Sequence, residues 1–167
     1  MECEQSVIGG LLLENAALDR VADLLSLSDF YRHEHRLIYQ HVTDLINQNK
    51  PADIVTVAES LENAGELSSV GGIAYIASLA QNTPSAGNIR RYAEIVRERA
   101  VIRQLIEVSS GINDSAFNPQ GRDAKSLLDE AESKILQIAE SGQRSNQGFT
   151  GVREILPAVL NRIDDLY

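Results

Sequence analysis

The sequence predicts an all-α protein: a compact helical globular head, a long antiparallel helical hairpin, a flexible linker and one amphipathic helix. Three observations predict it. Apolar residues recur at steps of three and four along most of the chain, and the strict alternation of a strand never persists. Aromatic residues make up only 5% and tryptophan is absent, so the core must come from Leu, Ile, Val and Ala, which suits helices. Clusters of turn formers, above all Asn118-Pro119-Gln120-Gly121, cut the pattern into helix-length pieces. The 167 residues suffice for one domain with a proper core and an appendage, and are too few for two full domains.

Taken in order, Glu4 to Leu13 reads as a helix with Val7, Ile8, Leu11 and Leu12 apolar, and Gly9-Gly10 permitting close backbone approach. Asn15 is a reasonable N-cap for a second helix through Leu25, with Leu18, Val21, Ala22 and Leu25 turned inward. Ser26 to Asp29 connects to a third helix over roughly Arg32 to Gln48, whose apolar stripe is Leu37, Ile38, His41, Val42, Leu45 and Ile46. Lys50-Pro51 stops it. Asp53 or Thr56 caps a fourth helix containing Val57, Ala58 and Leu61, and Gly65 is placed to end it in the left-handed conformation. A short fifth helix follows, Ile73 to Ala80. Ile54 to Val57 is the nearest thing to a strand and is too short to build a sheet alone.

Thr83-Pro84-Ser85 then reads as the cap and first turn of a long helix, apolar at helical spacing from Ile89 to Ile112. Beyond the turn at Asn118–Gly121, a partner helix places Ala124, Leu127, Leu128, Ala131, Ile135 and Ile138 on one face. Two such helices across a short turn make an antiparallel hairpin. The first carries two apolar rows: Val101, Leu105, Val108 and Ile112, and beside them Ile95, Ile102, Ile106 and Ser109. One row is expected against the hairpin partner; the other needs the domain body or a second copy of the chain. After Glu140 the stretch 141–148 contains no apolar residue, the composition of a flexible linker. A last helix, capped at Thr150, carries the cleanest stripe in the chain: Val152, Ile155, Leu156, Val159, Leu160, Ile163 and Leu166. Pro157 removes a backbone donor and kinks that helix unless its start slips toward Leu156. The stripe either folds back on its own domain or covers itself on a partner. The expected division is 1–82 head, 83–141 hairpin within the same domain, 142–150 linker and 151–167 linker helix.

Charge and motifs exclude several function classes. A net charge of -9 argues against the whole chain gripping nucleic acid through its phosphates, which needs clustered excess cations. Arg90 with Glu94, and Arg103 with Glu107, are spaced for mutual pairing, so the arginine run reads as a solvated, ion-paired face. Cys3 is alone, so no internal disulfide forms. The acidic start lacks the basic region of a signal peptide and no apolar run spans a membrane, which makes the cytoplasm the default. His33 and His35 fall on different helix faces and His41 lies six positions on, a poor arrangement for joint metal ligation. His33 and His35 read as surface residues and His41 as partly buried. Only Lys50, Lys125 and Lys134 exist and none follows a glycine, so no phosphate-binding loop is present. No catalytic, cofactor or metal residue is assigned.

Five phrases, in order, carry a resemblance: residues 4–10 (Glu-Gln-Ser-Val-Ile-Gly-Gly), Asp29-Phe30-Tyr31, Ser69-Val70-Gly71-Gly72, Asn82-Thr83-Pro84-Ser85-Ala86 and residues 92–98 (Tyr-Ala-Glu-Ile-Val-Arg-Glu). Together with Leu128-Asp129-Glu130-Ala131-Glu132 they resemble the N-terminal region of the bacterial replicative DNA helicase family, DnaB. Each phrase alone is weak; the ordered set is specific and covers most of the chain. The family's longer N-terminal tail is missing, and Tyr167 comes before the place of the RecA-like motor and its Walker A loop, so the chain is similar to the N-terminal domain plus linker helix. The resemblance implies hairpins paired between subunits, a trimer of dimers forming a collar over a six-membered motor ring, and docking of the C-terminal domain of a DnaG-type primase. It also implies a linker helix packed on the neighbouring motor, ATP and magnesium in the motor domain only, single-stranded DNA held mainly by that motor, and a helicase loader as a further partner. Ile106, Ile112 and Leu127 fall where the family's hairpin is sensitive for assembly and primase contact; for each, plain core packing is the competing reading. The alternative function is a free-standing helical adaptor or helicase-loading factor without a motor of its own.

Overall fold

The computed structural model describes residues 2–143. Among these, six α-helices carry the fold and no strand occurs. They are α1 (Glu2–Leu13), α2 (His33–Asn47), α3 (Ile54–Asn63), α4 (Gly72–Gln81), α5 (Ile89–Phe117) and α6 (Ala124–Gln143), with 3-10 turns at Asn15–Arg20, Leu27–Asp29 and Leu67–Val70. The sequence expectation of an all-α head followed by a helical hairpin holds. The stripe from Val152 to Leu166 lies outside the described residues, while α6 continues through Gly142 and Gln143.

The head is built around α1, which packs against α2, α4 and α5. Val7, Ile8 and Leu11 are fully buried and Gly9, Gly10 and Leu12 are buried beside them, because a helix covered on several sides keeps little polar surface. Gly9 is where α1 crosses α4 backbone to backbone. A Cβ built on it would lie 2.3 Å from the Leu79 carbonyl oxygen and 2.2 Å from the Thr83 hydroxyl.

Two boundaries differ from expectation. The helix expected from Asn15 through Leu25 is instead a 3-10 turn ending at Arg20, followed by hydrogen-bonded turns. Asn15 does not cap it. Its side-chain amide donates to the carbonyls of Leu11 and Ala52, at 2.8 and 2.9 Å, and its oxygen accepts from the Ala52 N–H at 2.9 Å. The side chain ties the end of α1 to the loop before α3, and Val21, Leu24 and Leu25 are buried while Ala22 is exposed. Nor does the long helix begin at Thr83. That threonine is buried and donates its hydroxyl to the Leu79 carbonyl at 2.9 Å, closing the end of α4, and α5 starts at Ile89.

α3 starts as expected, with both candidates at work. Asp53 accepts from the N–H groups of Val55 and Thr56, and the Thr56 hydroxyl accepts from the Asp53 N–H at 2.9 Å, a reciprocal cap. The Thr56 N–H, then the Thr56 hydroxyl and Val55 N–H, outweigh burial and hold the Asp53 carboxyl below its usual value. Asp53→Ala is expected to cost about 1 kcal/mol. Because the folded value is depressed, the cap's ionic contribution is present above the unfolded value and lost as pH falls through the folded one. Chemical denaturation of both proteins at neutral and acid pH checks it: the difference should narrow in acid.

Candidate assembly and docking surface

α5 is a single helix with two different environments. Ile89, Ala93, Val96 and Ala100, at steps of four, three and four, are buried in the head. Past Ala100 no residue is buried through Glu140, although α6 packs back along α5. The tip turns where the sequence expects it, with Gln120 and Gly121 at positive φ. Asp123 then opens α6 by accepting the Ser126 N–H at 2.9 Å, and Glu130 holds Lys134 at 2.6 Å and also pairs with Arg122. A two-helix hairpin covers only one side of each helix.

The two expected apolar rows separate accordingly. Val101, Val108 and Ile112 are half-buried, Ile112 beside residues of α6, whereas Leu105 is 48% exposed. In the second row Ile102 and Ile106 are 51% and 64% exposed. α6 adds Leu128 at 66%, Ile135 at 51% and Leu136 at 58%. Ile106 is thus a surface residue. Ile112 and Leu127 are half-buried and line a groove of about 330 Å³ toward the tip, together with Ala116, Ala124, Leu128 and Ala131.

Near the base of the hairpin, the arginine run proves largely structural. Arg97 pairs at 2.5 Å with Asp29, which is fully buried. Arg103 does not pair with Glu107: it donates to the Asp29 carbonyl at 2.6 Å and stacks over the Tyr31 ring. Arg36, from α2, donates to the carbonyls of Phe30 and Tyr31 at 2.7 and 3.2 Å. Arg97 and Arg103 therefore clamp residues 29–31 onto α5, and Arg36 ties the same segment to α2. Arg90 bridges toward Asp23 at 3.6 Å and Glu94 at 4.0 Å.

His35 corrects the expectation of a surface histidine: it is fully buried. Its Nδ1 lies 2.6 Å from Glu4 Oε2 and its Nε2 2.8 Å from the Tyr75 hydroxyl. Glu4 Oε1 accepts the Tyr31 N–H at 2.8 Å. Burial would raise the Glu4 carboxyl, but the His35 and Tyr31 hydrogen bonds prevail and hold it below the usual value. The ionised carboxylate only accepts, so Nδ1 carries the hydrogen and Nε2 is free to accept from Tyr75. His33 is exposed and His41 half-buried against Ser60 and Glu66, as expected. Among the described residues no three His, Cys, Asp or Glu side chains converge as metal ligands. Both buried polar residues had a signal in the sequence. Glu4 shares its helix face with Val7, Ile8 and Leu11, and His35 shares its own with Ile38 and Val42.

The architecture, a head with a projecting hairpin, matches known proteins. A family model described as the DnaB-like helicase N-terminal domain matches residues 1–98. The chain belongs to that family. The solved DnaB N-terminal domain of Mycobacterium tuberculosis is 36% identical, with a TM-score of 0.79 over 81% of this chain and 95% of that one. The replicative DNA helicase DnaB of Buchnera aphidicola (subsp. Baizongia pistaciae) is 40% identical over the whole chain, which spans 36% of that relative. A DnaB-like replicative helicase, described together with its interactions with primase, shares the fold at a TM-score of 0.66 and 21% identity over 98% of this chain. The chain contains no Gly-Lys-Ser/Thr sequence, the signature of a phosphate-binding loop. No helix among the described residues is long and apolar enough to cross a membrane.

Proposed function

We propose that this DnaB-family domain is the collar of a hexameric, ATP-dependent replicative helicase, where it assembles the ring and recruits a DnaG-type primase. One observation carries the reading: residues 101–140 fold as a helical hairpin with no buried side chain. Most helical stability in proteins comes from packing an amphipathic face, and exposed apolar rows at 48–66% on both helices are the composition of an interface core. Hairpins pairing between two copies cover Ile102, Ile106 and Ile135 and leave the groove at Ile112 and Leu127 for primase; three such dimers close the collar. The relative described with primase supports that partner. ATP and magnesium act in a motor domain beyond this segment, which also holds most of the single-stranded DNA. The stripe Val152, Ile155, Leu156, Val159, Leu160 and Ile163 docks on the neighbouring motor, and the assembly works in the cytoplasm.

Light-scattering mass across a range of concentration tests the assembly. A dimer or hexamer is expected, and a monomer at every concentration overturns hairpin pairing. Ile106→Ala, at a 64% exposed position, should change monomer stability by no more than about 0.5 kcal/mol. The same change should weaken association by about tenfold, roughly 1.4 kcal/mol. A large loss of melting temperature in the monomer would return Ile106 to the core.

A further inference from the structure

Where α5 leaves the head, a hollow of about 140 Å³ is walled by Cys3, Glu4, Tyr31, Val96, Arg99 and Arg103. Arg99 and Arg103 stand one helical turn apart. Arg103 lies 5.4 Å from the Tyr31 ring centroid and uses one N–H on the Asp29 carbonyl, leaving the rest of its fork to other acceptors. Arg99 is exposed and has no hydrogen bond or ion pair among the described residues. Tyr31 is 62% exposed, an aromatic body with a polar tip of the kind that interfaces cover. The Glu4 carboxylate in the wall is already held by His35 and the Tyr31 N–H. The unspent polar capacity of the hollow is therefore cationic, on a chain whose net charge is -9.

We propose that this hollow seats a single carboxylate from an acidic, amphipathic segment of a partner protein. The Arg99 and Arg103 guanidiniums hold its oxygens, and the Tyr31 ring and Val96 flank its apolar stem. The Tyr31 ring, 62% exposed, also offers a surface to the apolar residues that follow, and the row at Ile102 and Ile106 is left to the pairing between copies. Nucleic acid fits less well. A phosphate track calls for several aligned cations and gains from overall positive charge, and a 140 Å³ hollow is small beside the ~300–1,000 Å³ of nucleotide- or drug-sized sites. Two guanidiniums match one carboxylate, through charge-assisted hydrogen bonds that are strongest when bidentate. The inference concerns residues of the hairpin's base and stands whether or not primase is the partner.

Nuclear magnetic resonance of the arginine Nε–Hε groups in the whole chain tests it. The probes are an end-blocked peptide with two glutamates ahead of two leucines, its glutamine counterpart, inorganic phosphate, and a short oligothymidylate. The glutamate peptide should shift Arg99 and Arg103 and the Tyr31 ring, and the glutamine peptide should not. Arg99→Gln should weaken the glutamate peptide by about tenfold with an unchanged melting temperature, and Arg99→Lys should weaken it less. The proposal is overturned by absent binding, by equal binding of the glutamine peptide, by indifference to Arg99→Gln, or by phosphate or oligothymidylate binding as tightly.

Discussion

Replacing Gly9 with alanine should destabilise the head at or beyond the upper end of the ~1–3 kcal/mol range for overpacking. The added methyl would sit 2.3 Å from the Leu79 carbonyl oxygen and 2.9 Å from the Thr83 Cβ, where no real carbon fits. The Leu79 oxygen is backbone, and it already accepts the buried Thr83 hydroxyl at 2.9 Å. Relief therefore requires α1 and α4 to move apart, opening gaps beside Ile8, Ile76 and Leu79, all buried in the one core, and densely packed interiors pass on such shifts. Gly10→Ala is the internal control. Its Cβ would meet the Ile89 Cδ1 at 3.1 Å and nothing closer, the far end of a side chain that can give by a few tenths of an ångström. Thermal melts should rank Gly9→Ala far below Gly10→Ala, which stays near wild type. Equal melting temperatures would mean that α1 and α4 do not cross as closely as the structure shows.

That contrast bears on what the sequence can reveal. The Gly-Gly pair signals close approach, but nothing in the local pattern says which glycine meets backbone and which meets a side chain. Periodicity located α2, α3, α4 and the hairpin because each has a one-sided apolar stripe, which is a local property of the chain. It misplaced the segment after Asn15 because that residue's amide is committed to Ala52, 37 positions away. It likewise paired Arg103 with a neighbour on its own helix, whereas the guanidinium reaches back to Asp29. Thr83-Pro84 carries the grammar of a helix start, yet the buried hydroxyl of Thr83 serves the preceding helix. The exposed apolar rows on the hairpin were legible for the opposite reason: more apolar residues than one hairpin can cover is a count that needs no coordinates. The sequence could not separate Ile106 from Ile112 and Leu127. Only the rotation of α5 about α6 leaves the first exposed and the other two in the groove.

Glu4→Ala should remove an acceptor from two donors at once, the part-buried Tyr31 N–H and the buried His35 Nδ1–H. Each buried group left unsatisfied costs ~1–3 kcal/mol, so the pair should lose about 3 kcal/mol at neutral pH. The loss should depend on pH with a definite sign. The His35 and Tyr31 hydrogen bonds outweigh burial and hold the folded carboxyl below the ordinary glutamate value, so its contribution is fully present above the unfolded value and disappears as pH falls through the folded one. Wild type and Glu4→Ala should therefore converge in acid, measured by urea denaturation in steps of pH. A gap that stays constant would show that the carboxylate acts only by filling space. Glu4→Gln should fall between them, since one amide cannot accept from both donors with two oxygens as the carboxylate does. A double-mutant cycle with His35→Ala should show strong coupling, because the two side chains share one hydrogen bond. The network ties α1 to α2, and through the Tyr75 hydroxyl to α4, while Tyr31 carries it to the foot of the hairpin. Loosening Glu4 should then reach the hollow at Arg99 and Arg103: amide exchange at Tyr31 should quicken in Glu4→Ala before the head unfolds, since its N–H depends on that carboxylate alone.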